Sequence, residues 1–293
     1  MSMDASLDGA VIMEAPAKLN LYLNVTGRRD DGYHELDSLV AFASVGDRLR
    51  VELAPELSLE IEGPFAQGLD ADEGNLVWRA AKAVREMAKY TGGARMTLTK
   101  NLPVASGIGS GSADAAATVR ALVRLWGIQP DSHDLSGLAL SLGADVPVCL
   151  FGRTAYMRGI GELIEPGPAL PASFLVLVNP GVLVSTTAVF AAWQGPYSQK
   201  SPNIDDTDDI ADFVDQLARH GNDLGVPAMG MAPVIGEVIY ALKVAEDCLL
   251  AQMSGSGATC FGLFRTREQA DRAAEDIRTK CPGWWVESAK LNV

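Results

Sequence analysis

The run SGIGSGS, residues 106–112, constrains this chain more than any other stretch. It lies within PVASGIGSGSADAA and passes without a break into an alanine-rich segment. Glycine reaches positive φ and lets backbone approach a ligand with no Cβ in the way. The serines add hydroxyls. A helix that begins at once aims its free N–H groups and the positive end of its dipole at the loop. Together these properties make an anion site. A flexible linker is the alternative, but linkers rarely lead straight into a well-formed amphipathic helix. The chain contains no G-x-x-x-x-G-K-[ST], and G-x-G-x-x-G fails because position 112 is serine. No H-R-D or D-F-G set occurs, which excludes a protein-kinase fold.

At 293 residues, with 48% of them apolar, the chain has material for one large or two moderate domains. It carries 24 basic and 37 acidic side chains, a formal charge of −13. Such a surface repels nucleic acid and anionic lipid, yet a local nest of amides still binds phosphate on an acidic protein. Cys149, Cys248, Cys260 and Cys281 form no C-x-x-C pair. They read as buried thiols in a reducing cytoplasm, not as a disulfide or zinc framework. The start, MSMDASLDGA, has no basic region followed by an apolar stretch, so no signal peptide is expected. The apolar region 174–193 is interrupted at Asn179, Pro180 and Gly181, which fits a strand, a turn and a helix better than a membrane span.

Periodicity predicts strands through 11–27, broken at Pro16, and further strands over 35–54 and 57–63. A helix follows over 75–93 with Leu76, Ala80, Ala83, Val84 and Met87 on one face and Gly92–Gly93 as its stop. A strand at 94–103 leads into the glycine-rich run. Helices are expected from Ser112 to Gly127 and over 133–143, then near 185–194, 206–219 and 234–251. The close is a strand at 258–264, a helix at 267–280 and a strand at 283–291. This last set suggests an α+β sandwich. Glycine and proline accumulate over 155–172, where a domain boundary is expected. The polar segment 197–209 reads as a mobile connection.

P-x-x-x-G-I-G-S-G-S-A resembles the central phosphate-binding motif of the small-molecule kinase family that includes galactokinase, homoserine kinase and mevalonate kinase. APAKLNLYLNVTGRRDDGYHEL, 15–36, and MSGSGATCFGLF, 253–264, resemble the family's two other motifs in the same order, so the resemblance spans nearly the whole chain. The departures lie in the loop, where Ile108 stands for a usual leucine and Ser106 and Ser110 for common glycines. The resemblance implies a two-domain α+β fold. Residues 1–165 would form an N-terminal, ribosomal-protein-S5-like domain with the loop, and 166–293 a C-terminal ferredoxin-like sandwich, with the active site in the cleft between them. It also implies ATP and Mg²⁺ as nucleotide and metal. K-L-N-L-x-L-x-V-x-G-R and D-G-Y-H, with GADVPV at 143–148, most resemble the branch whose small-molecule acceptor carries a cytidine diphosphate group.

In this resemblance Asp145 is the catalytic acid–base residue and Lys18 its cationic neighbour, keeping the carboxylate ionised and stabilising charge on the acceptor oxygen. Asn75, Lys100, Pro103, Ala105, Ser106, Gly107, Ile108, Gly109, Ser110, Gly111 and Ser112 hold the nucleotide, with Ser112 also the candidate metal contact. Tyr33 and Phe190 clamp the cytosine, His34 bonds its edge, and Asn20 and Thr186 contact the rest of the acceptor. Taken singly, Asp145 is as readily a capping carboxylate, with Pro147 setting an extended path, and Lys18 a strand-surface lysine. His34 is then a structural histidine, Tyr33 and Phe190 core aromatics, and Ser112 a plain N-cap. The turn Ser254–Gly257 either closes over the acceptor or merely precedes a strand. His133 and His220 are expected to face solvent. Another small-molecule kinase, or a non-catalytic nucleotide-binding protein on the same fold, are the competing readings.

Overall fold

In the computed structural model of the protein, residues 9–200 and 202–292 are described. Most of the segment read as free of a signal peptide, residues 1–8, lies outside them, as does position 201 of the polar connection. The chain divides into two compact units interleaved in sequence. One holds the chain up to Ala17 with Gly46–Val104 and Gly109–Gly152; the other holds Lys18–Val45, Ala105–Ile108 and Arg153 onward.

Two long strands, β1 (Val11–Arg28) and β2 (His34–Ala54), run through both units. The expected break at Pro16 does not occur. Proline accepts an extended φ and forfeits only its N–H. The neighbouring chain passes close because position 46 is glycine; a Cβ there would lie 2.5 Å from the Ala15 carbonyl oxygen.

In the first unit, β4 (Gly93–Thr99) pairs antiparallel with Arg48–Ala54 of β2 and parallel with β3 (Ser58–Glu62). Four helices complete it: α1 (Leu76–Met87), α2 (Ser110–Leu125), α3 (Ser132–Leu142) and α4 (Val146–Phe151). Helix α1 stops before Gly92–Gly93, and Lys89 at φ 49° turns the chain. Its buried face is Val77, Ala80, Ala81 and Val84, one residue round from the expected stripe. Helix α2 buries small residues, Ala113, Ala115, Ala116, Ala117 and Ala121, which lets α1 and α4 pack closely on it.

In the second unit, Leu36–Val40 of β2 pairs with β5 (Ala155–Gly159), and β5 with β6 (Leu163–Pro166). The rest is β7 (Phe174–Asn179), α5 (Thr186–Ala192), α6 (Ile210–Leu217), α7 (Gly225–Met231), α8 (Val234–Lys243), β8 (Leu250–Met253), β9 (Cys260–Phe264), α9 (Arg267–Lys280) and β10 (Trp285–Lys290). Their sheet is antiparallel with order β10-β7-β9-β8. With α8 and α9 packed against it, this is the ferredoxin-like order the resemblance implies. The core includes Val176, Val178, Ile235, Val238, Leu242, Phe264, Ala274 and Ile277. The helix expected over 234–251 ends at Lys243, and Asp247 at φ 65° turns the chain into β8.

The polar connection is anchored to the rest of its unit at several of its described residues. Ile204 is buried, its N–H donates to the Tyr156 hydroxyl (2.8 Å), and its carbonyl accepts from the same hydroxyl (3.2 Å). Asn203 accepts from Arg158, and the Ser198 N–H donates to the Val25 carbonyl (2.8 Å). Tyrosine and arginine far away in sequence thus anchor a segment whose own composition is solvent-seeking. Among the described residues no helix is long and apolar enough to cross a membrane.

Candidate active site

The glycine-rich loop delivers the backbone geometry its sequence requires. Gly107 and Gly109 take φ 78° and 62°, and Ala105 takes φ 50°. Ser106 and Ser110 are not in the left-handed region, so the two positions where a Cβ replaces a glycine bear no strain from it. Ile108 is fully buried and pins the loop from within. Helix α2 starts at Ser110, two residues earlier than expected, with Gly109 as its left-handed cap. Ser112 is therefore not an N-cap but sits in the first turn, half-buried, while buried Ser110 reaches back toward the Pro103 carbonyl (3.5 Å). No side chain caps α2, so its first N–H groups keep their capacity for an external anion.

In the second unit the loop is stitched to the second glycine turn. The Ser254 hydroxyl donates to the Gly107 carbonyl (3.0 Å), and the Thr259 N–H donates to the Ser106 carbonyl (3.0 Å). The approach leaves no room for side chains: a Cβ on Gly107 would stand 2.6 Å from the Ser254 carbonyl oxygen. The turn Ser254–Gly257 is thus a partner of the glycine-rich loop, more than a turn before a strand. Thr186 and Ser256 share a hydrogen bond of 2.8 Å, so Thr186 belongs to the same neighbourhood.

Lys18 and Asn20 join this constellation from β1. The Lys18 N–H donates to the Ile108 carbonyl (2.9 Å), and its ammonium donates to Asn20 Oδ1 (2.9 Å). Asn20 is held on both sides, its N–H on Ser254 Oγ (3.1 Å) and its Nδ2 on Ser38 Oγ (2.8 Å). Lys18 is 3% exposed, so it is not a strand-surface lysine.

Asp145 stands in the first unit at the N-cap of α4. Pro147 is in that helix's first turn, where proline's fixed φ is favourable, so the extended path expected after Asp145 is replaced by a helix. The Asp145 side chain makes no capping bond to the helix. Asn75 caps α1, its side chain accepting from the Val77 N–H (2.9 Å). Lys100 is buried, its ammonium bonded to Asp47 and to Asp114 (2.7 Å). Burial opposes that charge, but Asp114 and Asp47 outweigh it and raise the Lys100 pKa.

The aromatic residues split. His34 and Phe190 stack at 5.3 Å between ring centres, with Trp193 edge-on to His34 at 5.7 Å. Tyr33, 62% exposed, is no core aromatic. Burial, and then Arg28, lower the His34 pKa, so the ring is neutral at pH 7 with one donor and one acceptor nitrogen. His220 does not face solvent freely: it stacks on Tyr22 at 4.4 Å, and burial lowers its pKa. His133 is exposed as expected. Sequence reading missed Asp47, Asp114, Trp193 and Asn222. The last donates to the Met253 (2.8 Å) and Gly255 (2.8 Å) carbonyls of the second glycine turn. An aspartate in a run of alanines was the visible sign of Asp114, whereas Asp47, between Gly46 and Arg48, carried none. Nothing marked Asn222.

Residues 75–153 match the family described as GHMP kinases N terminal domain, and 204–283 match GHMP kinases C terminal. The chain is 50% identical over 279 residues to a 4-diphosphocytidyl-2-C-methyl-D-erythritol kinase of Paramagnetospirillum magneticum, covering 95% of this chain and 98% of that protein. It is 52% identical over 287 residues to the protein of that name from Parvibaculum lavamentivorans, covering 96% and 98%. A crystal structure of 4-(cytidine 5'-diphospho)-2C-methyl-D-erythritol kinase superposes with TM-score 0.78 at 36% identity, covering 96% of this chain and 99% of that one. A homoserine kinase from Cytophaga hutchinsonii shares the fold at TM-score 0.74 and 19% identity, covering 100% and 98%. A loop of this geometry heading α2, two domain matches and half-identity along nearly the full length lead to one conclusion: the chain belongs to the GHMP kinases, on the branch of the 4-diphosphocytidyl-2-C-methyl-D-erythritol kinases.

Proposed function

We propose that the protein transfers the γ-phosphoryl group of ATP to the 2-hydroxyl of 4-diphosphocytidyl-2-C-methyl-D-erythritol, releasing ADP and the 2-phosphate. The step belongs to the non-mevalonate route to isoprenoid precursors, and the protein works in the cytoplasm. The observation that carries this reading is half-identity over about 95% of the chain to kinases bearing that name.

Phosphoryl transfer asks a protein for alignment and charge neutralisation more than for covalent chemistry. In this reading the loop residues 105–112, with Pro103 and Asn75, cradle the nucleotide, and the uncapped start of α2 takes phosphate charge. Mg²⁺ bound with the nucleotide would neutralise phosphate charge; it takes oxygen ligands and keeps several waters. The half-buried Ser112 hydroxyl in the first turn of α2 suits it as a single neutral oxygen donor. Asp145 accepts the proton of the 2-hydroxyl, and Lys18 stabilises the oxygen as charge develops on it. Asn20 orients Lys18 through their hydrogen bond and, with Thr186, faces the acceptor. His34, stacked on Phe190, reads the cytosine edge, and exposed Tyr33 supplies the other face of the clamp. The division into 1–165 and 166–293 remains the proposed domain boundary in sequence.

Incubating the purified chain with ATP, Mg²⁺ and the cytidylyl acceptor, beside mevalonate and homoserine, tests the reading. Stoichiometric ADP with the cytidylyl acceptor alone is expected. Turnover with mevalonate or homoserine instead would replace the branch assignment. Binding of ATP without transfer to any acceptor would leave a non-catalytic nucleotide-binding protein.

A further inference from the structure

The first unit buries a cluster with an odd count: two carboxyl groups and one ammonium. Lys100 follows β4 directly and opens the path to the glycine-rich loop. It is 2% exposed, Asp47 0% and Asp114 3%. Asp47 uses its two oxygens differently. Oδ2 takes the Lys100 ammonium, while Oδ1 accepts the N–H groups of Asn101 (2.6 Å) and Leu102 (2.9 Å), the first residues of the loop approach. The Asn101 side chain adds a bond to the Gly46 carbonyl (3.2 Å). Asp114 lies on α2, just past the turn that ends the loop. Its Oδ2 takes the same ammonium, and its Oδ1 is buried with no hydrogen-bond partner.

Stability does not explain such a cluster. Apolar residues of equal volume commonly hold a core as well as a buried ion group does, or better. What the cluster achieves is geometric. One ammonium holds a residue on each side of the loop, through Asp47 at its entry and through Asp114 at its exit. Ordering a glycine-rich segment costs backbone entropy, since glycine has more freedom to lose than any other residue. A loop already fixed at both ends incurs little of that cost when it closes on a ligand, and pre-organisation of this kind appears as affinity.

We infer that Asp47, Lys100 and Asp114 form a clasp that positions the glycine-rich loop for the ATP phosphates, so that Lys100 serves the nucleotide through the loop and not by touching it. The inference rests on the reading of the loop as the ATP site. The ammonium is committed to two carboxyl groups, and the three side chains act on the bound nucleotide only through residues 101–102 and α2. They are positioning residues, and their effect falls on nucleotide affinity.

The test uses the full chain and its variants Lys100→Met, Asp114→Leu, Asp114→Asn and Asp47→Asn. Steady-state constants for both substrates are measured alongside calorimetric binding of a non-hydrolysable ATP analogue and melting temperature. Lys100→Met and Asp114→Leu are expected to raise the KM for ATP and the analogue Kd at least tenfold, with the acceptor KM within twofold of wild type. Asp114→Asn recovers most of the loss, because its carboxamide oxygen still accepts from Lys100. Folded variants with an unchanged analogue Kd overturn the clasp, as does a fall in kcat and melting temperature with both KM values fixed. Should Lys100→Met and Asp114→Leu fail to fold, the near-isosteric Asp47→Asn decides: a several-fold rise in ATP KM supports the clasp, and no rise refutes it. A wild-type chain that binds no analogue removes the ATP reading of the loop itself, and the clasp with it.

Discussion

In the proposed reaction Asp145 has the most to do at the level of single residues. Its side chain makes no capping bond to α4, so amidation there would remove the proposed base without removing a cap. General-base help is worth ~10²–10⁴-fold. Asp145→Asn is expected to lose kcat in that range while binding an ATP analogue as wild type does; full turnover would remove Asp145 from the reaction. Asp114 gives a pH signature. Burial, opposed in part by Lys100 and reinforced by Asp47, pushes its carboxyl from 3.8 up to about 8. The folded state therefore keeps a proton that the unfolded chain releases. The stability this proton supplies is complete below about pH 4 and is lost as pH rises toward about 8. Asp114→Asn takes up no proton. Its melting temperature relative to wild type should climb between pH 5 and pH 8 and level off above that, in differential scanning fluorimetry with salt held constant. A difference that does not change with pH would mean that the buried carboxyl is ionised throughout.

The glycine-rich loop and the helix it opens set the tolerances at the level of elements. Gly107→Ala places a Cβ 2.6 Å from one backbone oxygen and 2.7 Å from another, at φ 78°, where backbone cannot yield cheaply. It should raise the ATP KM at least tenfold and lower the melting temperature. Gly137 is the contrast: it lies in α3 with open space around its would-be Cβ. Gly137→Ala should stabilise by ~0.8–1.0 kcal/mol, the helix-propensity gain, with unchanged kinetics. Denaturant melts and steady-state assays of the two variants check both. Elements with strong local determinants could be read from sequence. Gly127 and Gly143 end α2 and α3 where expected, and Thr266 with Gln269 caps α9. Elements set by tertiary partners could not. Pro16 passes through β1 because a glycine faces it, and α4 needed Pro147 recognised as a helix opener and not as an extended residue.

For the whole molecule, the terminal strand–helix–strand pattern suggested an α+β sandwich and the family resemblance implied its ferredoxin-like form, with which the order β10-β7-β9-β8 agrees. The candidate site was legible where it consists of contiguous motif: Lys18, Asn20 and the loop meet as the three motifs imply. What escaped is non-local and polar. Asn222 reaches the second glycine turn from 31 residues away, and Tyr156 anchors Ile204 across 48. Pairings of that kind leave no periodicity in a sequence. The acceptor side gives a prediction for the complete enzyme. If neutral His34 reads the base edge, His34→Ala should erase most discrimination between cytidylyl and uridylyl acceptors in kcat/KM while sparing the ATP KM. Equal use of both acceptors by wild type would contradict it.

The central claim is transfer of phosphorus from ATP to one particular hydroxyl. It is tested most directly by phosphorus NMR of the reaction of the purified chain with ATP, Mg²⁺ and 4-diphosphocytidyl-2-C-methyl-D-erythritol. The account predicts a new monophosphate resonance on the acceptor's 2-oxygen, growing in step with ADP. ADP accumulating with inorganic phosphate, or a phosphate on any other oxygen, would contradict it.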